Sequence, residues 1–209
     1  MPIFSRRGRD GRANEKLLLK LGRELEERCS TTAGTGHRFI HPDDAKHVLQ
    51  REHIKDLIGS FSWYREDDRT YLWQNLYLII CILISMRWGE WEQFHTYFFR
   101  HEPGFKSPRY TDKQLPFTKK DFPPHVSPGF LESFLSHQYT FVPVFIIENS
   151  HFKYSTHHRL PILKVVPLQD VQGAQGVVEQ VHIEKRFLYW ANQSVNHSVC
   201  SPIRRQSTI

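Results

Sequence analysis

The sequence predicts an α+β protein that is mainly helical and carries one short β-hairpin near its C-terminal end. Apolar residues recur at helical spacing through residues 14–138, which indicates several amphipathic helices packed together. Alternating apolar residues flank two glycines between Leu160 and Ile183, which is typical of two strands joined by a tight turn. Apolar residues make up 39% of the chain and aromatic residues 13%, which is enough for a packed core.

Composition divides the chain into successive segments. Residues 1–13 are rich in arginine and glycine and are predicted to be a disordered basic tail. Residues 14–150 are predicted to form a helical domain, and residues 151–190 a smaller β region that contains the hairpin. Residues 191–209 are predicted to be a flexible tail. Because an isolated hairpin is only marginally stable in water, we expect it to pack on the helical domain or to stay mobile.

Local signals mark where the first helices begin and end. Asn14 is a candidate N-cap for a helix that frays near Cys29. The run His41-Pro42-Asp43-Asp44 places proline in a first turn and two carboxylates at the positive end of the helix dipole. One or two short helices should follow this start and end at Gly59.

The segment from Asp67 to Met86 is predicted to be the central helix, because it is apolar on most faces. Its apolar run, Leu76 to Met86, is about eleven residues long, whereas a membrane span needs about 20. A helical stripe should then continue from Trp91 toward Pro103.

The second half of the helical domain is less regular. Residues 105–128 are rich in proline, with Leu115-Pro116-Phe117 as a predicted apolar anchor. A short helix should carry residues 130–138, and Phe141–Ile147 should be an extended edge strand because it contains Pro143. The small residues Ser30–Gly36 predict a linker, since Gly34-Thr35-Gly36 lacks the lysine and hydroxyl that end a phosphate-binding P-loop.

Charge and cysteine content bound the class of protein. The net charge is +6, and arginines near both ends supply much of the excess. The three cysteines are far apart and form no zinc or disulfide pattern, which favours a reducing compartment. The N-terminus has no secretory pattern, so we expect an intracellular protein, cytoplasmic or nuclear, with no membrane contact.

The glycine turn has two interpretations. It is an ordinary hairpin turn, or it is a nucleotide-binding loop, because it resembles the glycine-rich loop of protein kinases, G-x-G-x-x-G-x-V. Gly173 matches the second glycine of that motif, Gly176 the third, and Val178 the valine. Val171 stands where the first glycine belongs.

Several segments together resemble the N-terminal, pre-kinase region of a family of filamentous-fungal protein-kinase-like proteins. They are Gly36–Pro42, Asp112–Phe117, Phe134–Tyr139, Val142–Phe145, and Leu160–Leu163 leading into Gly173–Ile183. The resemblance implies that residues 151–190 are part of a kinase small lobe and that the helical domain precedes it. In a full-length relative, an ATP-dependent Ser/Thr protein kinase, Gly173 and Gly176 would approach the phosphates of ATP.

The departures from the kinase pattern concern catalysis. A kinase needs a lysine on its third strand, a catalytic-loop aspartate and a magnesium-binding aspartate. The chain after Ile183 has no such motif, and Lys185 follows the second strand too closely to be that lysine. The sequence therefore predicts a non-catalytic regulatory or interaction region, without ATP or metal as cofactor. Its partner would be an unknown protein or the missing kinase lobe, and the chain is either a fragment or a product in its own right.

A basic, aromatic nucleic-acid-binding protein is the alternative. Trp and Tyr side chains around the central helix could stack on bases, although their helical spacing favours a core; they are Trp63, Tyr64, Tyr71, Trp73, Trp88 and Trp91.

His137, His151, His157 and His158 lack the ligand spacing of a zinc site. Ser207 follows Arg204-Arg205, a pattern that basic-directed kinases recognise.

Overall fold

A computed structural model describes residues 7–59, 61, 64–66, 68–99, 110–151, 153–173 and 176–189. It confirms an α+β protein that is mainly α. The α-helices are α1 (Arg7–Arg28), α2 (Pro42–Val48), α3 (Arg51–Ile58), α4 (Asp68–Asn75), α5 (Tyr77–Ser85), α6 (Phe94–Phe98) and α7 (Pro128–Phe141). The strands are β1 (Ser30–Thr31), β2 (Arg38–Phe39), β3 (Ile146–Ile147), β4 (Ile162–Gly173), β5 (Gly176–Ile183) and β6 (Leu188–Tyr189).

Helix α1 begins earlier than the sequence predicts. It starts at Arg7 rather than after Asn14, so the prediction of disorder is wrong for residues 7–13. Extending a helix costs less than starting one, and no proline interrupts this segment, so the helix continues toward the N-terminus. Residues 1–6 and the predicted tail 191–209 lie outside the described residues.

The segment predicted as a linker between α1 and α2 is a small hairpin. Ser30 pairs with Phe39, and Thr31 with Arg38, in antiparallel register. Gly34 and Gly36 form the turn with φ angles of 82° and 68°, a left-handed conformation that favours glycine. These glycines therefore serve the turn of a hairpin.

The predicted start of α2 is confirmed. Pro42 opens the helix, and the Nδ1 atom of His41 accepts a hydrogen bond from the backbone N–H of Asp43 at 3.2 Å. Helix α3 follows and ends at Gly59, as expected. The buried residues of both helices pack into the same core as α5.

The central helix is present, but it is broken into α4 and α5 at Leu76. Every residue of α5 from Tyr77 to Ile84 is buried, because α1, α2, α4 and α7 pack around it. The carboxylate of Asp112 accepts hydrogen bonds from the N–H groups of Leu78 and Ile79, both at 3.0 Å. Asp112 thus caps a new helix start within the predicted helix, which explains the break.

Helix α7 is longer than predicted and includes Phe141, the first residue of the predicted strand. The hydroxyl of Ser127 caps it by accepting from the N–H of Phe130 at 3.3 Å. Phe134 and Phe141 both lie on its core-facing side, seven residues apart, so Phe141 completes a helical stripe. The strand predicted over 141–147 is therefore wrong except for Ile146–Ile147.

The apolar anchor at residues 115–117 is confirmed. Leu115 and Phe117 are buried, and the fully buried side chain of Gln138 holds this segment against α7. Its Oε1 atom accepts from the N–H of Phe117 at 2.7 Å, and its Nε2 atom donates to the carbonyl of Phe117 at 2.9 Å. One side chain thus satisfies both backbone groups of a buried residue outside regular structure.

None of the helices in the described ranges combines the length and the apolar character that crossing a bilayer requires.

We expect the substitution Gln138→Ala to lower the free energy of unfolding by about 2 to 4 kcal/mol, because it leaves both backbone groups of Phe117 buried without partners. Urea denaturation monitored by circular dichroism measures the change. Gln74→Ala, at an exposed position of α4, is the matched control and should change stability little. Equal effects of the two substitutions would contradict the role given to Gln138.

We expect Asp112 to make stability fall as the pH rises from about 4 to about 7. Burial raises the pKa of Asp112 from 3.8 to about 7, although the amides of Leu78 and Ile79 act in the opposite direction. The folded chain therefore keeps a proton that the unfolded chain has lost. In Asp112→Asn this contribution, up to about 4 kcal/mol across the window, should disappear.

Urea denaturation of the wild type and of Asp112→Asn at several pH values tests this. Asp56→Asn, at an exposed site of α3, controls for the loss of one carboxylate. A pH profile of Asp112→Asn that is parallel to that of the wild type would refute the expectation.

Candidate interaction site at the β-hairpin

The hairpin predicted over residues 160–183 is confirmed. Strand β4 has 12 residues and β5 has 8, and they pair antiparallel. The register pairs Val165 with Val181 near the base and Gly173 with Gly176 at the far end. It shifts between Pro167 and Gln172, where β4 carries extra residues relative to β5.

The structure brings the two predicted glycines together. Gly173 and Gly176 face each other as the last pair of the ladder, with the described chain interrupted at the two positions between them. Val178 lies in β5, two residues after Gly176. The surroundings of its side chain lie outside the described residues, so its predicted nucleotide contact stays a prediction.

Among the described residues, the long edges of the hairpin are paired only near its base. At the base, the N–H of Ala33 donates to the carbonyl of Ile162 at 2.7 Å, and the N–H of Glu184 donates to that of Pro161 at 2.9 Å. Beyond these contacts, no third strand pairs with β4 or β5 in the described part of the chain. Open strand edges present unpaired N–H and C=O groups to which another strand can pair.

The described faces of the hairpin also expose apolar side chains. Leu163 on β4 is 47% exposed, and Val181 on β5 is 44% exposed. Charged and polar residues, Lys164 and His182, pair across the ladder beside them. A two-stranded hairpin with apolar residues in water gains stability when further strands or another surface cover it.

The base of the hairpin is fastened to the helical domain by an aromatic cluster around Phe187. This side chain is fully buried, and its ring centroid lies 5.6 Å from that of Phe39, 5.0 Å from His41 and 5.1 Å from Phe145. The segment continues into β6, which pairs parallel with β3. The chain after β5 thus returns to the helical domain and packs there.

An ion-pair network reinforces the same junction. A guanidinium nitrogen of Arg186 lies 2.8 Å from Oδ2 of Asp44 in α2, and its Nε atom donates to Oε1 of Glu184 at 2.7 Å. Arg186 therefore joins the end of the hairpin to the start of a core helix. Burial lowers the pKa of His41, while Asp43 opposes this, and its Nδ1 atom accepts the capping hydrogen bond from the N–H of Asp43.

Sequence reasoning identified the glycines but not this junction. It gave no role to Arg186 or Phe187, and it placed Phe145 only in a predicted edge strand and in a segment of the family resemblance. The partners of these residues lie far away in the chain, so periodicity and local motifs carry no signal for them. The charge of Arg186 directly before an aromatic patch is the one local hint.

The other residues singled out from the sequence form neither an aromatic binding surface nor a metal site among the described residues. Trp88 and Trp91 are buried in the core, and Trp73 donates its indole N–H to the carbonyl of Leu49 at 2.8 Å. Trp88 and Trp91 thus lie in the core and Tyr64 and Trp73 pack partly buried against it, as expected, whereas Tyr71 is 41% exposed. Trp63 lies outside the described residues. Among the described residues, no group of three or more His, Cys, Asp or Glu is arranged to hold a metal ion.

Comparison of the chain with protein families, with curated proteins and with solved structures finds no match.

We expect Phe187→Ala to loosen the hairpin without unfolding the helical core, because Phe187 packs outside the main core cluster. Loss of a buried phenylalanine costs about 3 to 5 kcal/mol. This exceeds the free energy of local opening of many segments in folded proteins. Hydrogen exchange followed by mass spectrometry should show faster exchange in β4, β5 and β6. Exchange in α5 should be unchanged.

The control is Leu163→Ala, which shortens an exposed apolar side chain of the hairpin itself. It should leave the exchange pattern close to that of the wild type. If Phe187→Ala unfolds α5 together with the hairpin, the junction and the core form one cooperative unit and the expectation is wrong.

Proposed function

We propose that this chain is a non-catalytic, N-terminal regulatory or interaction region of a fungal protein-kinase-like protein. The helical domain holds the first hairpin of a kinase-type small lobe, and the hairpin offers its open edge to the strands that complete the lobe. The observation that carries the proposal is the long hairpin with a glycine pair at its far end, attached at its base and joined by no third strand in the described part of the chain.

The contacts at the base of the hairpin support an interaction role, because they hold the hairpin in a fixed orientation on the helical domain. Phe187, Arg186 and the β3–β6 pair fix the direction in which the hairpin leaves the helical domain. A partner strand that pairs with β5 would gain backbone hydrogen bonds and would cover Val181. The helical domain would thereby set the position of that partner, which is how a non-catalytic region regulates a neighbouring lobe.

Nucleotide binding belongs to the completed lobe in this proposal. The backbone of a glycine loop covers the phosphates, but the lysine and the magnesium ligands that hold ATP come from later kinase motifs. The chain has none of these motifs. We therefore expect it to bind ATP with negligible affinity and to transfer no phosphate.

Sequencing the native transcript tests the kinase relationship. We expect related transcripts to continue in frame beyond Trp190 into a strand with Ala-x-Lys, followed by His-Arg-Asp and Asp-Phe-Gly motifs. A continuation into an unrelated domain would overturn the proposal.

Calorimetric titration of the chain with MgATP tests the non-catalytic assignment. We expect no heat of binding up to millimolar nucleotide, and Gly176→Val should behave like the wild type. Binding in the micromolar range that Gly176→Val abolishes would show a working nucleotide site. Tight binding of single-stranded nucleic acid that weakens steeply with added salt would instead favour the nucleic-acid-binding alternative.

A further inference from the structure

A cluster of basic side chains lies at the base of the hairpin, around the loop that leads into β4. We call it the Arg159 cluster and define it as His37, Tyr139, His157, His158 and Arg159. His37 lies directly before β2, Tyr139 lies on α7, and the other three follow one another in the loop before β4. Residues 151–159 contain five basic or imidazole side chains and no carboxylate.

The geometry fixes Arg159 within this cluster. Its backbone carbonyl accepts from the N–H of Val144 at 3.0 Å, so the loop is attached to the segment that follows α7. A terminal nitrogen of its guanidinium lies 3.1 Å from Nδ1 of His37. Because arginine only donates hydrogen bonds, this nitrogen of His37 is the acceptor and carries no proton.

The charge of Arg159 has no counterion in the described part of the chain. Its side chain is half-buried, and its Nε atom is buried without a hydrogen-bond partner. Arg159 forms no ion pair with any described carboxylate, whereas Arg186 forms two. Burial lowers the pKa of Arg159, and Tyr139 is the group that opposes this.

His157 and His158 place further hydrogen-bond donors around the ring of Tyr139. The ring of His157 stacks on Tyr139 at 5.5 Å between centroids, and the ring of His158 meets Tyr139 edge-on at 6.3 Å. His158 uses Nδ1 to accept from the N–H of Ser155 at 2.9 Å, which leaves Nε2 as the protonated nitrogen of its neutral form. Ser155 and His158 therefore close a turn.

We propose that the Arg159 cluster is a binding site for a phosphate group. A half-buried guanidinium without a counterion favours an anion, since charge-assisted hydrogen bonds to an oxyanion are among the strongest in proteins. The cluster offers one guanidinium and up to three imidazoles, more donors than the two oxygens of a carboxylate can use. A phosphate has three oxygens and close to two negative charges, which matches that donor set.

This site is independent of the glycine turn. Arg159 lies three residues before Ile162, at the base of the hairpin, whereas Gly173 and Gly176 form the last pair at the other end of the ladder. Phosphate bound at Arg159 would tie β2, α7 and the loop before β4 together. The proposal does not depend on the kinase relationship, and failure of one leaves the other standing.

Inorganic phosphate is the probe for the test, with sodium chloride at equal ionic strength as the reference. We expect phosphate to raise the melting temperature of the full chain and to shift the Nε–H resonance of Arg159 and the backbone resonance of His37 in NMR spectra. Arg159→Met, which keeps the bulk of the side chain, should weaken phosphate binding by more than about tenfold. Lys153→Met, an exposed lysine of the same loop, is the matched control and should bind like the wild type.

Three results would overturn the proposal. Equal weakening in Lys153→Met and Arg159→Met would indicate general attraction to basic residues. Acetate that binds as tightly as phosphate would exclude the phosphate assignment. If Arg159→Met does not fold, titration of the wild type decides, and an unchanged Arg159 resonance at saturating phosphate would refute the site.

Discussion

The fold depends on burying α5 on every side. Eight successive residues, Tyr77 to Ile84, have no exposed face, so a single neighbouring helix cannot cover them. Helices α1, α2, α4 and α7 surround α5, and the short helical turn at Asp112 closes the end where its N–H groups emerge. Hydrogen-bond acceptors are needed there because the helix starts inside the protein, and the buried side chain of Asp112 supplies them while burial raises its pKa to about 7. The position of β2 follows from this packing, since the N–H of Ile40, directly after β2, donates to the carbonyl of Thr140 in α7 at 2.9 Å.

The sequence predicted those parts of the fold that local chemistry determines. The start of α2 at Pro42, the apolar α5 and the glycine turn of the hairpin all follow from short motifs or from periodicity. The start of α1 at Arg7 and the helical state of Phe141 were missed, because propensity there is weak and packing or helix extension decides. The junction around Phe187 was beyond prediction for another reason. Its partners come from residues near 40, 145 and 187, and only the folded chain brings them together.

The two sites beside the hairpin use charge in opposite ways. At Phe187, the cation Arg186 is satisfied by Asp44 and Glu184, and the aromatic rings exclude water, so that junction is complete in the folded chain. At Arg159, the guanidinium contacts Nδ1 of His37 at 3.1 Å, and its charge is unmatched among the described residues. A complete network fastens a segment, whereas an unmatched charge retains affinity for a ligand. The glycine turn differs from both, because its proposed role depends on a lobe that other strands would build.

Because Ile162 pairs with Ile183, the two strands of the hairpin begin and end at neighbouring points beside the helical domain, about 5 Å apart. Residues added or removed between these two points lengthen or shorten the hairpin without moving the helices below it. Selection on core packing therefore acts weakly on this part of the chain. Across related sequences, we expect insertions, deletions and rapid substitution to concentrate between Ile162 and Ile183, while α5 and its neighbours change slowly. The same property makes this position suitable for inserting a foreign peptide or reporter domain.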